Sequence, residues 1–213
     1  MITHETSLKE FSDQIAYSLS NYKQHGCKAE SFNNVVLGGL GGSGIGAVIA
    51  KSWLFDKATL PIETINDYAL PQYVNEKTLV VLNSYSGNTE ETIAMFHDAK
   101  SKGAQIVCMS SGGVIKELSD ANDLTCYPLK TGFQPRQTLG MGLSYLLLIL
   151  GECFGIDYAE QLQDIQSKLI ENQEKQILSA NRIFDYFKSS LKNKFVILAD
   201  RAMYPLAVRF AQQ

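Results

Sequence analysis

Serine, threonine and glycine crowd two short stretches of this 213-residue chain. One is Gly38-Gly39-Leu40-Gly41-Gly42-Ser43-Gly44, the other Ser84-Tyr85-Ser86-Gly87-Asn88-Thr89. Neither holds a charged side chain. What they offer is hydrogen-bond donation from hydroxyls and from backbone N–H groups, and the ligand suited to that is an oxyanion. A phosphate monoester accepts several such bonds without a buried cation beside it. A third stretch, Gln134-Pro135-Arg136-Gln137, adds a guanidinium that can hold a carboxylate, a phosphate or a developing oxyanion.

Both turns stand where a strand hands over to a helix. Residues 34–37 and 78–82 are apolar runs of the kind buried on both faces of a parallel sheet. Helical patterns follow over residues 45–55 and from Asn88, the expected cap, with Glu91 at the third helical position and Gly103 as the stop. Further strands are expected over residues 61–65, 104–109 and 124–127, a short helix over 114–120, and an apolar core helix from Thr138. The chain opens with Ser7-Leu8-Lys9-Glu10, which fits a capping box, and with Leu8, Phe11, Ile15, Leu19 and Tyr22 at helical spacing. This alternation predicts an α/β fold, a doubly wound parallel sheet with helices on both faces. Ligands of such sheets bind beyond the carboxyl ends of the strands, the edge at which both turns lie.

The rest of the chain is less regular. Residues 158–191 are polar, rich in Gln, Glu and Lys, and read as one helix or two. Residues 194–199 read as a fresh buried strand, and residues 206–213 as the start of a helix behind Pro205. A βα unit begins there and does not finish. Either its strand joins the edge of the sheet or the chain is part of a longer protein.

A rival reading comes from Gly39-Leu40-Gly41-Gly42-Ser43-Gly44, which matches the dinucleotide pattern G-x-G-x-x-G, with Glu63 at about the distance its acidic partner requires. On that reading the protein is an NAD-dependent dehydrogenase. A tight turn needing glycine for a positive φ accounts for the glycines equally well. The second turn shifts the balance. One hydroxyl suffices to cap a helix, whereas Ser84, Ser86, Asn88 and Thr89 are all polar.

Composition excludes other classes. With 45% apolar and 19% charged residues and a formal net charge of −3, the chain is an ordinary globular one without the clustered basic face of a nucleic-acid binder. Cys27, Cys108, Cys126 and Cys153 form no Cys-x-x-Cys pair and read as reduced, small apolar residues. His4, His25 and His97 lack metal-ligand spacing and read as solvated, so no metal is implied. The start of the chain carries no signal-peptide pattern, and the apolar stretch 139–154 is broken by glycines and Glu152. No membrane association and a cytoplasmic location are the expectations.

Together, Gly41-Gly42-Ser43-Gly44, Ser84-x-Ser86-x-x-Thr89 and Pro135-Arg136 resemble the sugar isomerase (SIS) domain family over residues 35–150. Within it they look most like the bifunctional phosphoglucose/phosphomannose isomerases. The resemblance implies an SIS-type, flavodoxin-like fold and interconversion of aldose and ketose hexose 6-phosphates through an enediol. It implies that Ser84, Ser86 and Thr89 bind the phosphate of a hexose phosphate, that Gly41, Gly42 and Ser43 line the sugar, and that Arg136 is catalytic, stabilising the enediolate. No cofactor follows from it; a homodimer does. The domains it implies are residues 1–156, an SIS domain with its N-terminal helix, residues 157–193, a helical connector, and residues 194–213, the start of a second SIS domain. The family's glutamate base comes soon after a Tyr-Pro-x-Ala-x-Arg helix start. Here that start is Tyr204-Pro205-Leu206-Ala207-Val208-Arg209, and the expectation is that the chain stops just before the base.

The carboxylates nearest the turns in sequence are Glu63, Asp67, Glu90 and Glu91. None stands out as a proton-shuttling base, and Glu90 and Glu91 in a first helical turn are explained by the helix dipole. A phosphosugar-binding SIS module that catalyses nothing is the other alternative. Regulators of that kind usually carry a DNA-binding helical domain, and about one helix precedes Val35, too little for one.

Overall fold

Parallel strands organise the structure, a computed structural model that describes residues 3–190 and 196–211. β1 (Asn34–Gly39) lies between β2 (Ile62–Ile65) and β3 (Thr78–Asn83), and β4 (Gln105–Ser110) and β5 (Cys126–Pro128) follow, in the order β2-β1-β3-β4-β5. Val35, Leu37, Leu79, Val81, Val107 and Met109 face one core, and Val36, Val80, Leu82, Ile106 and Cys108 face another. A period of two with both faces covered is why these strands read as unbroken apolar runs. Each fully buried aliphatic side chain contributes about 1.5–3 kcal/mol.

The first core is closed by α2 (Phe11–Asn21), α3 (Gly41–Trp53), α6 (Leu139–Phe154) and the first turn of α7 (Ala159–Phe187). The second is closed by α4 (Glu90–Ser101) and α5 (Gly113–Ala121). A short α1 (His4–Lys9) precedes them, and α8 (Tyr204–Ala211) packs on α3. Thus α3, following β1, and α4, following β3, leave the sheet toward opposite faces. The neighbours β1 and β3 therefore form the topological switch, where such sheets open a crevice at their carboxyl ends.

Several elements differ from expectation. The N-terminal helix is capped by Thr3, whose Oγ1 accepts from the Thr6 amide at 3.1 Å, while Ser7 is buried. It breaks at Glu10, which leaves Leu8 60% exposed and buries Ile15 on α2. The polar stretch forms one helix, α7, in which Leu162 is the buried residue. Residues 196–199 join no sheet, and Val196 and Leu198 are 83% and 90% exposed. Their apolar composition suggests a strand, but a strand also needs a neighbour for its N–H and C=O groups. Lys194 and Phe195 of that expected strand lie outside the described residues. Among the described residues, no helix is long and apolar enough to cross a membrane.

Candidate functional site

The glycine stretch contains almost no loop. Gly38 and Gly39 end β1, Leu40 is the N-cap, and α3 begins at Gly41, earlier than the helical pattern from Ile45 suggests. Glycine is a poor helix former, so periodicity misses this turn; close packing explains it. A Cβ on Gly44 would stand 2.6 Å from the Gly39 carbonyl oxygen, and one on Gly42 2.7 Å from the Arg136 Cα. Ser43 and Gly44 donate their amides to the Leu40 carbonyl at 2.9 and 3.2 Å. The amides of Gly41 and Gly42 precede these bonds, the position from which a helix start addresses an anion.

The second turn is folded by its own hydroxyls. Ser84 Oγ and Thr89 Oγ1 lie 3.0 Å apart, and the Gly87 amide donates to the Ser84 carbonyl at 3.1 Å with φ of +70°. Asn88 is not the cap of α4. Its Oδ1 accepts from the Val114 amide at 3.1 Å, and Thr89 takes the N-cap position without a side-chain cap bond. The first-turn amides of α4 are thus left without a side-chain cap beside the paired hydroxyls. Ser86 is exposed, and its Oγ accepts from the Asn88 amide at 3.2 Å.

Ser43 joins the two turns. Its carbonyl accepts from Asn83 Nδ2 at 3.0 Å, and its Oγ accepts from the Tyr85 amide at 3.4 Å. Arg136 enters from the other side, in a short 3-10 turn, Pro135–Gln137, closed by the Gln134 amide on Gln137 Oε1 at 2.9 Å. Its backbone lies against Gly42, and its side chain is exposed. From α8, Arg209 Nη2 donates to the Arg136 carbonyl. Burial, and then the charge of Arg136, hold the Arg209 guanidinium below its ordinary pKa. A cavity of about 200 Å³ opens beside the glycine turn, lined among others by Gly41, Thr64, Asn66 and Val208. Gly41, Gly42, Ser43, Ser84, Ser86, Thr89 and Arg136 therefore gather at the ends of β1 and β3. Glu63, by contrast, is exposed on β2 and accepts from the Tyr73 hydroxyl.

No family model matches the chain. It is 35% identical over 189 residues to the bifunctional phosphoglucose/phosphomannose isomerase of Caldicellulosiruptor bescii, covering 87% of this chain and 56% of that protein. Its identity to the enzyme of the same name from Aquifex aeolicus is 38% over 162 residues, covering 73% and 48%. A D-glucosamine-6-phosphate 4-epimerase from Sulfolobus acidocaldarius is 33% identical over 178 residues, covering 82% and 54%. The C-terminal domain of glucosamine-fructose-6-phosphate aminotransferase from Francisella tularensis has the same fold, with a TM-score of 0.75 at 18% identity over 98% of this chain and 65% of that one. The chain belongs to the SIS domain family. It spans about half the length of the curated relatives it matches.

Four residues that shape this SIS domain's crevice escape a reading of the sequence: Asn83, Tyr85, Ser111 and Arg209. Ser110-Ser111-Gly112-Gly113, after β4, repeats the hydroxyl-and-glycine composition of the two earlier turns and carries a usable signal. It backs the Ser84 turn: Ser111 Oγ and its amide donate to the Tyr85 carbonyl at 2.6 and 2.9 Å, and the Ile115 amide donates to the Gly87 carbonyl at 3.0 Å. Asn83, Tyr85 and Arg209 carry no such signal, because their roles come from what the fold brings opposite them.

His25 also departs from expectation. It is not solvated; its side chain is 0% exposed, and its Nε2 lies 3.5 Å from Glu152 Oε2. Glu152 Oε2 accepts from the Tyr22 hydroxyl at 2.5 Å and from the His25 amide at 3.0 Å, and its Oε1 accepts from the Gly26 amide at 2.8 Å. These bonds hold the carboxyl below its ordinary pKa although burial opposes them. Burial above all lowers the pKa of His25. Glu152 stands roughly 20 Å along α6 from the end beside Arg136, at 1.5 Å per residue, so this clasp is structural. Among the described residues, no group of His, Cys, Asp and Glu is arranged to hold a metal ion.

Proposed function

We propose that this SIS domain binds a hexose 6-phosphate in the crevice between β1 and β3 and serves aldose–ketose isomerisation, as between glucose or mannose 6-phosphate and fructose 6-phosphate. One observation carries the reading. Ser43 is bonded to both Asn83 and Tyr85, which sets the N-terminal end of α3 beside the Ser84–Thr89 hydroxyl pair. Two helix starts and two hydroxyls then address one phosphate without a buried cation. The names of the curated relatives support a phosphorylated hexose as the occupant.

The chemistry asked of the site follows. A base takes the proton from the carbon next to the carbonyl, the electron pair forms the enediolate double bond, and the carbonyl oxygen takes the negative charge. The hydroxyl proton on the neighbouring carbon moves to that oxygen, and protonation of the former carbonyl carbon, with the new carbonyl forming beside it, gives the isomer. On this reading Arg136, whose backbone packs on Gly42, meets the enediolate charge. Among the described residues, no carboxylate is hydrogen-bonded to either turn, so the reading assigns this chain phosphate binding and charge stabilisation and no base. A homodimer in the cytoplasm belongs to the same reading. In its support, Ile170, Ile177 and Phe184 recur along α7 at i, i+7 and i+14 and are 56%, 48% and 57% exposed.

The test is calorimetric titration of the chain with fructose 6-phosphate and with NADH. Saturable sugar-phosphate binding and no NADH binding are expected. Micromolar NADH affinity without sugar-phosphate binding would restore the dinucleotide reading.

A further inference from the structure

We propose that Tyr85 is a positioning residue that fixes Arg136 relative to the phosphate turn, through its side-chain hydroxyl. The proposal rests on the functional reading above and deepens it. Tyr85 is the residue between the two serines of Ser84-Tyr85-Ser86. Its side chain turns away from the crevice into the first core and is 8% exposed. There the hydroxyl accepts from the Phe133 amide at 2.9 Å and donates to the Lys130 carbonyl at 3.2 Å. Both partners are backbone groups of the segment that leads into Pro135 and Arg136. Burial raises the Tyr85 pKa, which keeps the hydroxyl protonated and able to donate.

The main chain of Tyr85 is held just as firmly. Its amide donates to Ser43 Oγ at 3.4 Å, and its carbonyl accepts from the Ser111 amide and hydroxyl at 2.9 and 2.6 Å. One residue therefore touches the glycine turn, the turn after β4 and the arginine segment, while being part of the phosphate turn itself. A buried backbone amide needs a partner, and the Phe133 amide finds it in a side chain distant in sequence. The Tyr85 hydroxyl thus ties the segment directly to the phosphate turn, beside the packing of Arg136 on Gly42 and the Arg209 bond to the Arg136 carbonyl.

Tyr85→Phe removes that hydroxyl and keeps the ring, the core packing and the bonds of the residue's own amide and carbonyl. Phosphate binding rests on the two turns, whereas stabilisation of the enediolate needs Arg136 at the right distance from them. The two functions should separate. The experiment measures dissociation constants of inorganic phosphate, fructose 6-phosphate and a phosphorylated sugar hydroxamate that mimics the enediolate. It uses the full chain, Tyr85→Phe, Arg136→Ala and the double variant. Amide exchange at Phe133 is followed in parallel.

In Tyr85→Phe the phosphate constant is expected within about twofold of the parent, the hydroxamate constant about tenfold weaker, the scale of one lost hydrogen bond, and Phe133 exchange faster. In the Arg136→Ala background the same change should cost less than about twofold, because coupled residues are not additive. Equal weakening of phosphate and hydroxamate would make Tyr85 merely structural and overturn the proposal. So would unchanged hydroxamate binding with accelerated Phe133 exchange. A parent chain that binds neither fructose 6-phosphate nor the hydroxamate overturns the functional reading itself, and the proposal with it.

Discussion

Gly42 and Arg136 meet backbone to backbone: a Cβ on Gly42 would stand 2.7 Å from both the Cα and the amide nitrogen of Arg136. The first turn of α3 and the arginine turn are therefore fitted to each other with no room for a methyl group. Helix propensity alone favours alanine over glycine by about 1 kcal/mol, while overpacking costs about 1–3 kcal/mol. Gly42→Ala is expected to lose up to about 2 kcal/mol by urea denaturation and to weaken binding of the enediolate mimic. A more stable Gly42→Ala with unchanged binding would mean that the arginine turn yields freely.

The Ser84–Thr89 hydroxyl pair, 3.0 Å apart, is the predicted phosphate grip. A hydroxyl donating to a charged acceptor is worth about 1.5–3 kcal/mol. Thr89→Val and Ser86→Ala should each lower hexose 6-phosphate affinity by roughly 10–150-fold on that scale, while Thr89→Ser retains most of it. Titration of the three variants decides it. Unchanged affinity in both Thr89→Val and Ser86→Ala would remove the phosphate from this turn.

How much of this was legible in the sequence depends on how local each feature is. The apolar runs of β1, β3 and β4 declare the parallel sheet, since side chains alternate into two cores from one unbroken pattern. The two turns are visible because glycine and hydroxyl residues cluster there. The capping role given to Asn88 fails because α5 brings the Val114 amide within reach, a tertiary contact that outcompetes the local one. His25 looks solvated because nothing nearby in sequence announces Glu152, which the fold sets against it. Asn83 and Tyr85 carry no signal of their own, and their roles appear only once Ser43 and Phe133 lie opposite.

The buried clasp of His25 and Glu152 makes stability depend on pH in a defined direction. Burial lowers the His25 pKa, so folding favours its neutral form. That contribution is complete above the unfolded pKa, about 6.5, and is lost as pH falls below it. The Glu152 pKa is also lowered in the folded state, with the Tyr22 bond the largest favourable cause against the opposing effect of burial. Its contribution is held above the unfolded value of about 4.3 and lost below it. Urea midpoints should be flat from about pH 7 to 8 and fall in two stages on acidification, each with a slope of at most about 1.4 kcal/mol per pH unit. His25→Asn should abolish the upper stage. Persistence of that stage in His25→Asn would assign it to another group.

Arg209 and Arg136 bring two positive charges together where α8 meets the arginine turn, and among the described residues neither has an ion-pair partner. Like charges oppose each other, the less so the more water screens them, and an anion beside them relieves that cost. Arg209 should therefore draw the phosphosugar toward the crevice as well as dock α8. Arg209→Gln retains a donor for the Arg136 carbonyl and removes the charge. It is expected to weaken fructose 6-phosphate binding about three- to tenfold at low salt, and the difference should shrink near 0.5 M salt, where screening cuts in within several ångströms. Arg209→Ala should cost more, because the Arg136 carbonyl also loses its partner. Equal affinities of Arg209→Gln and the parent at low salt would reduce Arg209 to a docking contact for α8, and the anion would then be read by Arg136 and the two turns alone.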